Sequence, residues 1–392
     1  MTRGSPWQAL ASLAGRSELL VAGLMSGTSG DGIDIALVRI RPDECGPWQA
    51  DLETFESRPY EPALRERLLD PLRLSSREIA ELGVSWAERA ATGIQEALAE
   101  AGLEPGELDL IGSHGHTLWH QPPGVAAVAA SFQIGEADVL AERLGVPVVS
   151  DFRPRDLAAG GQGAPLVPMA EWLLRRPETG ARLFLNLGGM ANVSVISTRQ
   201  EDVLAFDTGP GVAWIDAAAR LASDGREPFD RDGQRAARGR VQEHVLASWL
   251  EDPYFQTPPP KSTGRERFGE AAFEDIAEAW TGRADDLVRT LTELTARSIA
   301  LSIERFVPRS PEPRELWISG GGAHHPVLVD SIRDQVALPV SVIDDPLLTV
   351  DSKEAVAFAI LAVRTLRGEP GNVPSATGAR RPVVLGKISL GL

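Results

Sequence analysis

Apolar residues near the start of the chain fall into two runs, Leu19–Leu24 and Ile33–Ile40, separated by a short polar segment. Runs of this length, bounded by glycine and small polar residues, predict two strands joined by a tight loop. The same arrangement returns in the second half, where Arg182–Leu187 and Asn192–Ser197 flank a Gly-Gly pair. Two halves that begin alike indicate an internal duplication and therefore two domains.

Longer periodic stretches predict helices between the strands. Ser75 and Glu78 have the spacing of a capping box, and the periodic run that follows them ends at Gly102. Further helices are predicted over Gly135–Leu144 and Asp285–Phe306, the second with a continuous apolar face. Strands that alternate with helices in this way indicate an α/β fold.

Composition narrows the range of partners. The chain has 392 residues, of which 43% are hydrophobic, enough for sizeable cores. Its net charge of −16 argues against nucleic acid and anionic membranes as partners. Its single cysteine, Cys45, cannot form an internal disulfide, and no apolar run approaches the length of a membrane span. We therefore expect a cytoplasmic globular protein.

The polar segment between the first two strands has the composition of a phosphate site. Its glycines allow backbone N–H groups to face a ligand, its hydroxyls add donors, and its carboxylates can hold a hydrated Mg²⁺. The residues concerned are Gly27, Thr28, Ser29, Gly30, Asp31, Gly32 and Asp34. An ordinary hairpin turn explains the same residues equally well, and the GxxxxGK[ST] motif of a Walker loop is absent.

The second half contains a candidate general base. Asp207 ends an apolar stretch and is followed by Thr-Gly-Pro-Gly, an arrangement that exposes a carboxylate at the end of a strand, where α/β proteins bind ligands. A helix N-cap is the alternative explanation. Glu354, near the start of the last predicted helix, is a weaker candidate, since glutamates of a first turn commonly interact only with the helix dipole.

Three histidines, His114, His116 and His120, have a spacing that could surround a metal ion. The surrounding loop looks irregular and implies no partner carboxylate, so polar contacts of one or two histidines with a substrate are the preferred interpretation. Arg153, beside a glycine-rich stretch, suits a substrate carboxylate or phosphate, although it also fits a solvated charge run.

The motifs together resemble a known family. GLMSGTSGDGID, GSHGHT, DFRPRDLAAGGQGAPLVP, NLGGMANVS, FDTGPG, PKSTGRE, SGGGAHHP, EAVAFA and GNVPSATGA occur in the order found in the anhydro-N-acetylmuramic acid kinases. This family belongs to the actin, heat-shock-chaperone and sugar-kinase superfamily. The resemblance implies a two-domain actin-like (ribonuclease H-like) fold, with a mixed five-stranded sheet and helices in each domain and ATP in the interdomain cleft. We expect domains over residues 1–180 and 181–392, with the tail packing back on the first.

The resemblance also implies roles for individual residues. Asp207 would be the catalytic base, and Glu354 would help to hold the attacking water. The sugar pocket would be lined by His114, Thr117, Asp151 and Arg153. Phosphate and adenosine contacts would come from the first loop together with Asn186, Gly188, Gly189, Asn192, Gly320, Gly321 and Gly322. Asp31 and Asp34 would contact the Mg²⁺ of MgATP.

The implied reaction couples hydrolysis of a 1,6-anhydro sugar to phosphorylation of O6, in peptidoglycan recycling by a cytoplasmic homodimer. The chain departs from the family's usual residues at Gly30, His116, Ala170, Glu171, Val212 and His325, which leaves a levoglucosan-type kinase as an alternative. A metal-dependent hydrolase using His114, His116 and His120 and a non-catalytic sugar sensor are alternatives from other classes.

Overall fold

The computed structural model describes residues 5–27, 30–124, 127–343, 345–347, 349 and 351–391. Two compact units divide the chain: the first comprises Met1–Arg175 and Asp345–Leu392, and the second comprises Arg176–Asp344. None of the described helices is both long and apolar enough to cross a membrane.

The first segment of the first unit alternates strands and helices. Its elements are α1 (Pro6–Ala14), β1 (Leu19–Ser26), β2 (Gly32–Arg41), β3 (Gln49–Pro59), α2 (Pro62–Leu69), α3 (Ser76–Glu100), β4 (Leu110–Gln121), β5 (Ala130–Ile134), α4 (Ala137–Leu144), β6 (Val148–Ser150), α5 (Phe152–Ala158) and α6 (Val167–Arg175).

The second unit repeats the opening meander and adds a helical layer. Its elements are β7 (Ala181–Leu187), β8 (Met190–Ser197), β9 (Leu204–Pro210), α7 (Ala213–Ala222), α8 (Gln234–Arg238), α9 (Glu243–Leu250), α10 (Arg265–Phe268), α11 (Glu270–Ala279), α12 (Ala284–Phe306), β10 (Pro313–Ser319), α13 (Pro326–Gln335) and β11 (Val340–Val342). The chain then returns to the first unit with α14 (Ser352–Leu366), α15 (Pro374–Thr377) and β12 (Lys387–Ser389).

Both sheets are mixed and share one plan, as the internal duplication predicts. In the first, β1, β2 and β3 form an antiparallel meander, and β4 and β6 add in parallel on the other side of β1. In the second, β7, β8 and β9 form the meander, and β10 and β11 add in parallel beside β7. The second sheet has the expected five strands, whereas the first has seven because β5 and β12 join it.

The return of the chain to the first unit begins earlier than we expected. The expected second domain, residues 181–392, includes α14, which instead packs on β1 and β4 of the first sheet. The reason is steric, since a Cβ on Gly23 would lie 1.9 Å from the Ala355 carbonyl oxygen and one on Gly112 would lie 2.1 Å from that of Phe358. These glycines allow a largely apolar helix to lie directly on the strands.

One local prediction was confirmed and another was wrong. The capping box of Ser75 and Glu78 is present at the start of α3. The segment containing the three histidines is strand β4 and not an irregular loop, because it pairs with β5 as far as Gln121. Arg153, which the sequence places beside a glycine-rich stretch, lies in helix α5.

Candidate active site

Within the first unit, α14 brings Glu354 close to the carboxylates of the first loop. Burial is the largest cause of the raised pKa of Asp34, and the nearby carboxylates of Glu354, Asp351 and Asp31 raise it further, while a hydrogen bond with Ser57 opposes them. Like charges near Asp34 disfavour its ionised form. The close approach of Gly23 to the Ala355 carbonyl fixes the position of the residue that follows Glu354.

The first loop is a tight turn at its described residues. The Gly30 backbone N–H donates to the Gly27 carbonyl at 3.1 Å, and Gly30 has a left-handed φ of 64°, which glycine adopts without strain. The Arg65 side chain donates to the Gly30 carbonyl at 3.1 Å and lies 3.2 Å from the exposed Asp31 carboxylate. Thr28 and Ser29, both predicted phosphate ligands, lie outside the described residues.

A buried hydrogen-bond chain holds the strand that leads into this loop. Trp86 Nε1–H donates to the Tyr60 hydroxyl at 2.6 Å, which lies 2.7 Å from Ser26 Oγ, which in turn lies 2.9 Å from His116 Nδ1. Burial lowers the pKa of His116 to about 4, which favours the neutral ring. The Leu68 backbone raises the pKa of His116, but the effect of burial is larger. A neutral His116 can accept from Ser26, so that every hydrogen bond of the series from Trp86 points towards the histidine.

His114 and Arg153 form a second buried pair. Arg153 Nε–H donates to His114 Nε2 at 2.9 Å, and Arg153 Nη1–H donates to the Gly163 carbonyl at 3.1 Å. The imidazole packs against Phe358 of α14, with ring centroids 4.6 Å apart. Burial, followed by the adjacent Arg153 charge, holds the pKa of His114 well below its ordinary value, so His114 is a neutral acceptor.

The three histidines do not form a metal site. His114 bonds Arg153, His116 bonds Ser26, and His120 Nδ1 lies 3.1 Å from Ser131 Oγ, so each ring has a different partner. A left-handed Gly115, with φ of 74°, interrupts the alternation of β4 that the sequence argument assumed. Among the described residues, no group of three or more potential metal ligands is present.

The two remaining candidates for the sugar pocket belong to the first unit, with Asp151 directly after β6 and Thr117 within β4. Asp151 follows β6 with a left-handed φ of 55°, a conformation that costs a non-glycine residue energy and is concentrated at functional sites. Its carboxylate lies 2.6 Å from Lys387 Nζ of β12. Thr117 Oγ1 accepts a hydrogen bond from Gln133 Nε2 of β5 at 3.3 Å.

In the second unit, three candidate polar residues form one row across the meander. Asn186 of β7 pairs with Asn192 of β8, and Asn192 pairs with Asp207 of β9. Directly opposed residues point to the same face of a sheet, so the amides and the carboxylate share a face. Sequence analysis identified each residue separately, and the register of the strands brings them together.

The segment after Pro260 runs along the outer edge of β9 and holds Asp207 from both sides. The Asp207 N–H donates to the Lys261 carbonyl at 3.1 Å, and the Thr263 N–H donates to Asp207 Oδ2 at 2.8 Å. The Tyr254 hydroxyl donates to the Asp207 carbonyl at 2.9 Å. Asp207 belongs to β9 itself and is not the cap of α7, whose N-cap position is Val212.

Three glycine turns pack together at the ends of β7, β9 and β10. The Val212 N–H donates to the Gly188 carbonyl at 2.9 Å, and the Gly211 N–H donates to the Gly189 carbonyl at 2.8 Å. Gly320 has a φ of 103°, and a Cβ there would lie 2.5 Å from the Leu187 backbone nitrogen. Glycine is therefore required for this approach. The predicted phosphate turn and the predicted adenosine turn are neighbours within the second unit.

Departures from the family's usual residues take part in internal contacts. His325 caps α13 by accepting from the Leu328 N–H at 3.1 Å, and its Nε2 lies 3.3 Å from Asp230 Oδ2. Hydrogen bonds hold the pKa of buried Asp230 below its ordinary value against the effect of burial. Val212 packs against the hydrophobic core of the second unit, and Ala170 and Glu171 are buried residues of α6.

Sequence reasoning missed the residues that hold the candidates in place. Tyr60 follows β3 with no motif of its own, and only the three-dimensional pairing joins it to Ser26 of the first motif and, through Ser26, to His116. Lys261 and Thr263 lie within PKSTGRE, a motif that the sequence marks as notable but to which it assigns no role. Their backbone groups contact Asp207, and backbone contacts between distant segments leave no sequence signal.

Comparison with known proteins decides the family. The family model for anhydro-N-acetylmuramic acid kinase matches residues 19–391. The chain belongs to the anhydro-N-acetylmuramic acid kinase family. The kinase of that name from Caldanaerobacter subterraneus subsp. tengcongensis is 43% identical over 388 residues, covering 96% of this chain and 98% of the relative.

Other relatives agree with this assignment. The anhydro-N-acetylmuramic acid kinase from Parasynechococcus marenigrum is 43% identical over 378 residues, which is 94% of this chain and 98% of the relative. Among solved structures, the ROK hexokinase from Thermus thermophilus has a TM-score of 0.38 and 16% identity, covering 88% of this chain and 99% of the hexokinase. A likeness that low adds nothing to the family assignment.

Proposed function

We propose that the protein is an ATP-dependent anhydro-N-acetylmuramic acid kinase that opens the 1,6-anhydro bridge with water and phosphorylates O6. The products are N-acetylmuramic acid 6-phosphate and ADP. The observation that carries the proposal is the family match, which spans residues 19–391 and includes each motif that supplies a candidate catalytic residue.

In this reaction Asp207 takes a proton from water as the water oxygen bonds to the anomeric carbon. The bond from that carbon to O6 breaks, and O6 accepts the γ-phosphoryl group of ATP. The clamped geometry of Asp207 supports the role of base, because a base must be held within hydrogen-bond reach of the proton that it removes. Glu354 helps to hold the water.

The sugar is bound by His114, Thr117, Asp151 and Arg153. The neutral His114 and the charged Arg153 support this role, since together they present one buried imidazole and one guanidinium held by fixed hydrogen bonds. An arginine fixed in this way suits the carboxylate of the lactyl group. The strained backbone of Asp151 is in keeping with a substrate contact.

ATP is bound by the first loop in the first unit and by the glycine turns with Asn186 and Asn192 in the second. Asp34 and Asp31 are suitable contacts for the Mg²⁺ of MgATP, because Mg²⁺ is commonly held by one or two carboxylates together with substrate phosphates. Bound Mg²⁺ neutralises phosphate charge during transfer. The repulsion around Asp34 supports this assignment.

We further propose that the enzyme acts in the cytoplasm as a homodimer and recycles peptidoglycan sugars. The homodimer and the recycling role follow from the family resemblance alone, and the cytoplasmic location follows also from the composition.

The test is ADP release by purified protein with MgATP and anhydro-N-acetylmuramic acid, levoglucosan or no sugar, in isotopically labelled water. We expect ADP release that depends on the first sugar and a 6-phosphate product that carries one oxygen from water at the anomeric carbon. Preference for levoglucosan would change the substrate and keep the mechanism. ADP release that does not depend on either sugar would contradict the proposal.

A further inference from the structure

The chain contains few lysines, and all of them lie beside candidate site carboxylates. Of its 39 lysine and arginine residues, three are lysines: Lys261, Lys353 and Lys387. Lys387 pairs with Asp151 at 2.6 Å. The charge of half-buried Lys353 interacts with Glu171 and Glu354, and that of Lys261 interacts with Asp207. A lysine ammonium is a compact point charge, unlike the planar guanidinium used elsewhere in the chain.

Lys261 has the most constrained surroundings of the three, because its side chain enters a cage of aromatic rings. The ammonium nitrogen lies 4.5 Å from the centre of the Tyr254 ring, 4.8 Å from that of Phe306 and 5.9 Å from that of Phe206. It also donates to the Tyr254 carbonyl at 3.3 Å, and the residue is only 9% exposed. Rings around a desolvated cation attract it through their negative faces.

The cage and the Asp207 contacts form one closed circuit. The Lys261 ammonium bonds the Tyr254 carbonyl, the Tyr254 hydroxyl bonds the Asp207 carbonyl, and the Asp207 N–H bonds the Lys261 carbonyl. Thr263, two residues further on, donates to the Asp207 carboxylate itself. Anchoring the Lys261 side chain therefore anchors the segment that orients Asp207.

We infer that Lys261 is a positioning residue for the general base, holding Asp207 in place through the caged side chain and favouring its ionised form through its charge. This inference rests on the proposed function of Asp207. Nothing in the proposed reaction requires Lys261 to contact the sugar or ATP.

The charges around Lys261 agree with this role. Burial is the main cause that lowers the pKa of Lys261, to about 8, and the Arg305 charge acts in the same direction, while the Asp207 carboxylate opposes both. Lys261 is therefore protonated at pH 7. The interaction is mutual, so a protonated Lys261 favours the carboxylate over the carboxylic acid at Asp207. Arg267, a second cation beside one of these rings, lies 5.3 Å from the centre of the Tyr254 ring and pairs with Asp252.

The decisive experiment compares the full-length wild-type protein with Lys261→Met, using kcat, both KM values and the pH dependence of kcat. We expect kcat to fall about 10- to 100-fold, the size of effect that a misplaced catalytic group produces. Both KM values should stay within about threefold, and the acidic limb of the kcat profile should move up by about one pH unit. Wild-type kcat with an unmoved acidic limb would overturn the inference.

A stability measurement separates this role from a structural one. Because burial disfavours the charged form of Lys261, its replacement by methionine is expected to leave the urea midpoint at pH 7 unchanged or higher. Tyr254→Phe keeps the cage and removes only the hydroxyl that bonds Asp207, and we expect it to lower kcat with KM unchanged. If Lys261→Met does not fold, a wild-type kcat in Tyr254→Phe would overturn the inference.

Two further variants complete the design. Arg267→Gln removes the second cation from the aromatic cluster without touching the contacts of Asp207, and it should retain wild-type kcat and pH profile. Asp207→Asn reports on the proposed function itself. If Asp207→Asn keeps its activity, the proposed function fails, whereas an inactive Asp207→Asn beside a fully active Lys261→Met refutes only the positioning role.

Discussion

Asn192 lies directly opposite Asp207 in the ladder between β8 and β9, and the register slips by one residue immediately beside this pair. The irregularity falls between Ala191 and Asn192, so it separates the regular part of the meander from the glycine turn that follows Asp207. Bulges of this kind redirect a side chain next to an active site. The row of Asn186, Asn192 and Asp207 is thus a product of strand register and of its local interruption.

Replacing the base should remove catalysis and keep nucleotide binding. We expect Asp207→Asn to lower kcat about 100- to 10,000-fold, the usual contribution of a general base, while the Kd for MgATP changes little. Isothermal titration with a non-hydrolysable ATP analogue, alongside steady-state kinetics, checks both parts. Asp202→Asn, an exposed acid just before β9, is the matched control. A large loss of nucleotide affinity in Asp207→Asn would show that the carboxylate has a different role.

The neutral His116 makes stability dependent on pH. Its folded pKa of about 4 lies below the ordinary histidine value of 6.5, so the unfolded chain binds more protons between these pH values. The contribution of neutral His116 to the free energy of unfolding is on the order of 3 kcal/mol. This contribution is complete above pH 6.5 and is lost as the pH falls towards 4.

Urea unfolding at pH 7 and pH 5 tests this prediction. His116→Gln should lose less stability than the wild type on going from pH 7 to pH 5, because glutamine does not titrate. His244→Gln, at an exposed position of α9, should behave like the wild type. Equal pH dependence in the wild type and His116→Gln would mean that His116 is not the group responsible.

The close approach of α14 to β1 should not tolerate a methyl group. In Gly23→Ala the new Cβ would lie 1.9 Å from the Ala355 carbonyl oxygen, so the helix has to move away from the strand. Overpacking of this kind costs about 1–3 kcal/mol or more of unfolding free energy. Because Glu354 precedes Ala355, we also expect a lower kcat.

Gly106→Ala is the control for this substitution, since no atom lies within 4 Å of its added Cβ. It should change the unfolding free energy by less than about 0.5 kcal/mol and leave kcat unaltered. Comparable effects of the two alanine substitutions would contradict the steric explanation.

Removing Asp156 should release the C-terminal segment. This fully buried carboxylate accepts from Asn372 Nδ2 at 2.7 Å, Thr377 Oγ1 at 2.8 Å and the Gly163 N–H at 2.8 Å. Asp156→Ala leaves those donors buried without their acceptor, at a cost of about 3–5 kcal/mol.

Limited proteolysis followed by mass spectrometry provides the measurement. We expect early cleavage within residues 368–391 of Asp156→Ala and not of Asp138→Asn, an exposed acid in the first turn of α4. Cleavage at the wild-type rate would indicate that other contacts hold the segment.

Sequence alone predicted what depends on local pattern. The strand pair that opens each half, the capping box of α3, the long helix α12 and the glycine turns follow from periodicity and composition, because neighbouring residues decide them. The path of α14 did not follow, since an apolar helix surface does not by itself specify which sheet it covers. What selects the first sheet is the pair Gly23 and Gly112, which read locally as ordinary strand residues.

In the candidate site, too, the residues set by local pattern were predicted and those set by contacts between distant segments were not. Asp207, Glu354 and the loop glycines were identified from sequence because their neighbours have distinctive chemistry. The partners of Asp207 were not, because Lys261 and Thr263 act on it through backbone atoms and are separated from it by more than fifty residues. The interpretation of the histidines as a possible metal group failed for a related reason, since the turn at Gly115 changes the direction of side chains along β4.

The discontinuity of the first unit has a consequence for synthesis on the ribosome. All residues of the second unit have been synthesised once the ribosome passes residue 344. The first unit at that point still lacks helix α14, which covers its sheet, and strand β12 of the sheet itself. Because domains generally fold as units during synthesis, the unit encoded in the middle is expected to reach its native state before the one encoded first. Until the last segment emerges, the faces of β1 and β4 that carry Gly23 and Gly112 remain uncovered, and this nascent chain is the form most in need of a chaperone.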